Sequence, residues 1–354
     1  MALFQSWMWK CNILVGLALV CHECDALIPR SEFLQQSLLA FTTSNIITTS
    51  SQWIAVEEDA LLCRNGALTP EQAVPGAYSN SCMTLPRRIV PLQIPTKKSA
   101  TSSSTETTTL IISQEASGSG KTGLAVWNSG LLLTRVLQSL ALQIPLWFAQ
   151  QERILELGCG TAVVSIACHR LGAPHVLATD GNPDVVRLAN QNIETNQQPK
   201  PISGKSSGDA NADTSPKMSS IEAKLLQWGL LNAMDYSEAA DLLLGSDLTY
   251  NSGTWRVLAE TMEAILSPTG TILYLSLGHE GFNVNAEVEG FVSVAKEMGL
   301  VPVSEIGGDA GEKVIPVSSL VSSAISSQED FKQLQVSGGA KIIALQRKQL
   351  RRNS

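Results

Sequence analysis

The stretch Ile154-Leu155-Glu156-Leu157-Gly158-Cys159-Gly160-Thr161 decides the fold. Three aliphatic residues in a short run predict a buried strand over 153–157, and two glycines end it in a sharp turn. The apolar period resumes at once and predicts a helix over 161–172. A strand, a glycine turn and a helix N-terminus form the edge of a ligand site in an open α/β sheet, where ligands bind at the carboxyl ends of strands. Gly158 and Gly160 let a ligand come close to the backbone. Glu156 is an acid on an otherwise apolar strand, and burial there requires a partner: a ligand's cationic group or a backbone amide.

Outward from this stretch the same alternation repeats. Strands are expected at 175–179, 221–227, 242–246, 271–277, 301–306 and 341–347, with helices at 129–142, 183–196, 253–267 and 285–299. Asn182 followed by Pro183 is an N-cap with proline at the first helical position. Val185, Ala189 and Ile193 then give one buried face, as Trp255, Leu258, Met262 and Ile265 do for the later helix. Alternating βα units imply a mostly parallel sheet with helices on both faces. RIVPLQI (88–94) and TTTLIIS (107–113) read as an N-terminal β-hairpin closed by a Ser/Thr loop. Residues 198–220 carry no apolar period and read as a disordered surface insertion. The loop 308–340 is long and its sequence assigns it no role.

Composition bounds the functional class. A net charge of −7 over 354 residues argues against broad phosphate-backbone binding, so no nucleic-acid partner is expected. Cys21 and Cys24 have a metal-like spacing, but no second pair completes a zinc site, and no metal is expected. The apolar run 11–21 behind Lys10 is short for a membrane span and fits a signal peptide over 1–26. Residues 27–56 hold nine Ser/Thr and a single acid, Glu32, the composition of an organellar transit segment. Residues 27–84 are thus expected to be transit-like or a disordered linker, with 85–354 as the folded domain. Plastid or mitochondrial targeting is the expectation, with a cytoplasmic chain as the alternative and a monomer as the expected state.

Two nucleotide-binding readings fail on spacing. Gly118-Ser119-Gly120-Lys121-Thr122 resembles a phosphate loop, but the position that needs the first glycine is Glu115. A dinucleotide fingerprint needs glycine at 163, which is Val163. Asp180, twenty residues after Gly160, stands at the end of the next strand, where a carboxylate can accept both hydroxyls of a ribose.

Glu-x-Gly-x-Gly with this following acid resembles the S-adenosylmethionine pocket of class I methyltransferases. Val126-Trp127-Asn128-Ser129-Gly130, Gln227-Trp228-Gly229 and Leu244-Gly245-Ser246-Asp247-Leu248-Thr249-Tyr250 narrow the resemblance. In that order they resemble the seven-strand protein-lysine methyltransferases, the group with the calmodulin-lysine and chaperone-lysine enzymes. The match runs over about residues 120–300 and weakly to the last strand. It implies a Rossmann-like, seven-stranded domain, S-adenosyl-L-methionine as cofactor and a lysine side chain of a protein as acceptor.

The resemblance also implies roles. Trp127 would close over the cofactor, Gly158, Cys159 and Gly160 would pass along its methionine and ribose, and Asp180 would take the ribose hydroxyls. Trp228 would pack on adenine, and Glu156 and Ser246 would line the pocket. Asp247 and Tyr250 would sit beside the incoming amine. Ala162 stands where a third glycine is common, and Ser246 where alanine is. Trp127 and Trp228 also read as core aromatics, and Asp247 as a capping acid for the helix at 253–267. Asp247-Leu-Thr-Tyr250 lacks the paired prolines of base-amino methyltransferases. A small-molecule acceptor and a non-catalytic cofactor-binding module stay open as alternatives.

Overall fold

The computed structural model describes residues 86–95, 105–115, 122–144, 146–197, 219–278, 283–307, 313–325 and 339–348. The signal and transit readings of residues 1–84, the Cys21/Cys24 pair and the insertion 198–218 lie outside the described residues. So does the phosphate-like loop itself, residues 116–121.

Two strands, β1 (Arg87–Pro95) and β2 (Thr105–Ser113), pair antiparallel as the expected hairpin. Helix α1 (Asn128–Gln143) and the single turn α2 (Trp147–Gln150) follow. The alternating series then runs β3 (Arg153–Leu157), α3 (Val163–Arg170), β4 (His175–Asp180) and α4 (Pro183–Asn196). Next come β5 (Ser220–Leu225), the one-turn α5 (Leu230–Ala233), β6 (Ala240–Ser246), α6 (Trp255–Ile265) and β7 (Leu266–Leu277). The series continues with α7 (Val284–Glu297), β8 (Leu300–Val303), β9 (Glu305–Ile306), β10 (Ile315–Pro316), α8 (Leu320–Ala324) and β11 (Ala340–Arg347).

Seven strands form one sheet in the order β5-β4-β3-β6-β7-β11-β8, with β11 alone antiparallel to its neighbours. The order reverses at β3, which has β4 on one side and β6 on the other. Such a switch point opens a crevice at the carboxyl ends of the two strands.

The pleat sends alternate side chains into two cores, as a sheet covered on both faces requires. Leu242, Leu244, Leu273 and Leu275 pack on one face with α1 residues such as Leu132, Val136 and Leu140. Leu243, Ile272 and Tyr274 pack on the other with Leu258, Met262 and Phe291 of α6 and α7.

Several boundaries differ from expectation for local reasons. Helix α3 starts at Val163 because Ala162 is left-handed, φ 62°, and still belongs to the glycine turn. The third-glycine position therefore lies inside the turn rather than after it. Strand β7 begins at Leu266, not 271, and α6 stops at Ile265. Pro268 explains this, since the residue before a proline is pushed toward extended geometry. Strand β5 ends at Leu225, leaving Gln227 and Trp228 in the loop beyond it. The strand expected at 301–306 splits: β9 leaves the sheet and pairs with β10. The stretch 308–340 is not all loop, since it contains β10 and α8.

The hairpin is tied to the sheet's helical layer by side chains. Asn192 Oδ1 accepts the Ser113 amide at 2.7 Å, and its Nδ2 donates to the Ser113 carbonyl at 3.0 Å. Asn196 repeats the pair with Ile111, at 2.9 and 2.8 Å. Positions four apart on a helix rise about 6 Å. Positions two apart on a strand span roughly 6.6 Å. The two spacings agree, so a helix face completes the open edge of β2 as a neighbouring strand would.

Candidate functional site

A cavity of about 860 Å³ opens at the switch point. Its size suits a ligand of a few hundred daltons. It gathers the ten residues given a site role above. Glu156, Gly158, Cys159 and Gly160 form its floor from the β3–α3 turn. Asp180 enters from the end of β4, Trp228 from the loop after β5, and Ser246, Asp247 and Tyr250 from the end of β6. Trp127 closes the remaining side, just before α1.

Glycine is required in the floor. Gly158 and Gly160 sit at φ 60° and 52°, the left-handed region that side chains resist. A Cβ on Gly160 would lie 3.2 Å from the Gly123 carbonyl oxygen. One on Gly158 would lie 2.5 Å from the Leu248 side chain. The turn is anchored to β4, because the Cys159 amide donates to the Thr179 carbonyl at 2.8 Å.

Glu156 is 2% exposed. Its partner is Ser165, in the first turn of α3, whose amide donates at 3.0 Å and whose hydroxyl donates to the same oxygen. Burial nevertheless dominates and pushes its carboxyl up to about 8, with the Ser165 bonds pulling the other way. The backbone amide expected for Glu156 is thus supplied by α3. Asp180 is also raised by burial, while amides of Asn182 and Gly160, at 3.0 and 3.2 Å, hold its two oxygens. Burial raises the Cys159 thiol in the same way, so it stays uncharged at neutral pH.

Asp247 does not cap a helix. Its Oδ1 accepts the Leu277 amide at 2.7 Å, and its own amide donates to the Leu275 carbonyl at 2.9 Å. Asn251 performs the capping instead, accepting from Gly253. Tyr250 is 64% exposed and stands at the mouth. Trp127 is half-buried, and its Nε1 donates to the Thr122 carbonyl at 2.7 Å, which fixes the ring against the cavity. Trp228 packs partly on the second core while also lining the cavity.

The segment carrying Trp127 is held from the hairpin. Arg88, 3% exposed, donates to the Val126 carbonyl at 3.1 Å, and the Val126 amide donates to Gln114 Oε1 at 3.0 Å. Burial lowers the Arg88 guanidinium to about 10, still charged at neutral pH. Asn192 Nδ2 also reaches the Thr161 carbonyl at 3.0 Å, so one side chain joins hairpin and glycine turn.

Sequence reasoning missed Leu226 and Val257, which line the cavity, and read Asn182 and Gln227, which line it too, only as a helix cap and a motif neighbour. It also missed Ser165, whose signal was available: a polar residue within the buried run Val163–Cys168, nine positions after a buried acid. Among the described residues no cluster of His, Cys, Asp and Glu is arranged to hold a metal, and no helix is long and apolar enough to cross a membrane.

Residues 104–278 match the family model described as lysine methyltransferase. The protein-lysine N-methyltransferase EFM3 of Chaetomium thermophilum is 29% identical over 157 residues, 42% of this chain and 40% of that protein. The protein N-terminal and lysine N-methyltransferase EFM7 of Yarrowia lipolytica is 24% identical over 181 residues, 50% of this chain and 64% of that protein. The protein-lysine methyltransferase METTL21E of Bos taurus is 29% identical over 156 residues, 43% of this chain and 47% of that protein. The chain spans less than two thirds of the length of each of these relatives. With the seven-stranded sheet and the cavity at its switch point, the match identifies residues 104–278 as a lysine methyltransferase domain.

Proposed function

We propose that the chain transfers a methyl group from S-adenosyl-L-methionine to a lysine side chain of a protein. One observation carries the reading: the Glu156–Gly160 turn, Asp180 and the Asp247–Tyr250 segment share one cavity. The residues fit the cofactor. A left-handed glycine turn offers bare backbone, and the amide-held Asp180 carboxylate can accept a pair of hydroxyls. The half-buried Trp228 presents a flat apolar face for a purine, and Glu156 and Ser246 contribute polar wall. Trp127 closes over the ligand.

When bound, S-adenosylmethionine supplies a methyl group on a sulfonium centre. The chain's task is then positioning, together with management of one proton. A lysine of pKa about 10.4 is neutral only ~0.04% of the time at pH 7, a penalty of about 4–5 kcal/mol. Entry into the cavity desolvates the amine and lowers its pKa. Asp247, oriented by the Leu277 amide, fixes the amine's direction while Tyr250 contacts its stem at the mouth. The proton leaves to bulk water before attack. Organellar targeting through residues 1–84 belongs to the same proposal and is supported by composition alone.

The test is transfer of radiolabel from S-adenosylmethionine to proteins of a lysate by the full chain. Label in one or a few protein bands, absent with Asp180→Ala, is the expected result. Label confined to small molecules would replace the acceptor class. Cofactor binding without transfer would leave a binding module. Asp247→Asn is expected to lower kcat at least 30-fold with cofactor affinity within threefold; full turnover in that variant would remove the role given to Asp247.

A further inference from the structure

Asp247 and Tyr250 stand on a loop whose shape is imposed from behind. Asp247 is left-handed, φ 51°, a conformation that a non-glycine residue keeps only when its surroundings hold it. Part of the hold comes from a buried tyrosine. Tyr274 of β7 is fully buried, and its hydroxyl oxygen accepts the amides of Leu248 and Thr249 at 3.0 and 3.1 Å. Those two bonds use its acceptor capacity, so its one hydrogen goes to Thr249 Oγ1, 2.7 Å away. Thr249 Oγ1, having accepted, donates its own hydrogen to Glu287 Oε1. Ser276 Oγ donates to that same oxygen at 3.0 Å. Counting donors thus leaves a single direction, from Tyr274 through Thr249 to Glu287, with a carboxylate oxygen as terminal acceptor. Glu287 lies in the first turn of α7, none of whose residues lines the cavity. Tyr274, Thr249 and Glu287 do not line the cavity themselves.

We propose that Tyr274, Thr249 and Glu287 form a one-way hydrogen-bond relay that holds the Ser246–Tyr250 loop in the shape that presents Asp247 and Tyr250 to the acceptor amine. They are positioning residues, and the proposal rests on the methyl-transfer reading given above. Removing the tyrosine hydroxyl leaves two buried amides and one threonine oxygen without their partner, while the core keeps its volume.

The experiment has two arms on the full chain. In the first, hydrogen exchange is read at the Leu248 and Thr249 amides, which needs no activity. Tyr274→Phe is expected to speed exchange there at least tenfold, with the β3 amides unchanged. In the second, Tyr274→Phe and Glu287→Leu each lower kcat at least 20-fold while the Kd for S-adenosylmethionine stays within threefold. Glu287→Gln, whose amide oxygen still accepts both hydroxyls, restores turnover to within threefold of wild type. The double variant Tyr274→Phe/Glu287→Leu is no slower than the worse single one. Unchanged exchange in Tyr274→Phe, single effects that multiply in the double variant, or Glu287→Gln as damaging as leucine would each overturn the relay. Faster exchange with unchanged kcat would overturn its link to the reaction. Should Tyr274→Phe fail to fold, Thr249→Val breaks the middle of the relay and is read by the same two arms. If the wild-type chain transfers no methyl group, the function reading fails and the exchange arm still decides the relay.

Discussion

Below about pH 8 the carboxyl of Glu156 keeps its proton, because burial penalises the anion more than the two Ser165 bonds reward it. Unfolded, the same group titrates near its ordinary value of 4.5. Between those two values the folded chain binds more protons than the unfolded one. Its stability therefore falls as pH rises from about 4.5 to about 8 and levels off above. For a fully buried group this amounts to several kcal/mol. Glu156→Gln keeps an oxygen for Ser165 and removes the titration. Urea midpoints at pH 6 and pH 8.5 should then differ less for the variant than for wild type, with the variant the more stable at pH 8.5. The adjoining turn gives a second residue-level prediction. Gly160→Ala should cost roughly 1–2 kcal/mol for its left-handed backbone, on top of the contact with the Gly123 carbonyl, and should weaken cofactor binding at least tenfold by calorimetry. Ala162 already bears such a conformation at φ 62° but fills space, being fully buried. Its change to glycine relieves about 1 kcal/mol of backbone cost and gives up about 0.8 kcal/mol of buried methyl. Thermal melts should show little change.

At the scale of elements, the Asn192 and Asn196 pairs make a helix serve as a strand. Asn192 is fully buried and bonds both the hairpin and the glycine turn, whereas Asn196 is half-buried and touches the hairpin. Asn192→Ala should therefore cost about 2–4 kcal/mol, since it leaves several buried groups unmet. Asn196→Ala should cost about 1 kcal/mol. Chemical denaturation would rank them, and cofactor affinity should fall for Asn192→Ala alone. These elements also show what a sequence can and cannot tell. The βα alternation was legible because aliphatic period and turn residues act locally: Leu242–Leu244 and Asn182-Pro183 need no distant partner to be read. The ten candidate residues were picked out from similarly local patterns: nine lie at or just beyond a strand end, and Trp127 just before α1. What stayed hidden depends on pairing across long stretches. Asn192 looked like one more position in a helical period, and Thr249, Tyr274 and Glu287 join only once β7 and α7 are packed. The early start of β7 was hidden too, because the apolar period of α6 runs on into Leu266 and masks the effect of Pro268.

Taken as a whole, the molecule divides its labour along the strand direction. The cavity lies at the carboxyl ends of β3, β4 and β6, while the opposite ends of β3 and β6 are joined by structural polar contacts. Arg153 Nη2 meets Asp241 Oδ1 at 3.1 Å, and the Arg153 amide donates to Asp241 Oδ2 at 3.0 Å. Both side chains are partly exposed, so Arg153→Ala should cost no more than about 1 kcal/mol and leave kcat and cofactor affinity unchanged. Asp241→Ala should cost more, because the backbone amide loses its partner as well. The long separation of the hairpin's fastenings has a consequence for synthesis. A ribosome releases β2 first, yet the side chains that complete its edge stand 79 and 85 residues later. Until α4 has been made, the nascent chain carries an open strand edge, the kind of surface that recruits other strands. The asparagine pair thus sets a schedule: translation slowed between the codons for β2 and α4 should lower the soluble yield, and a pause after Asn196 should not.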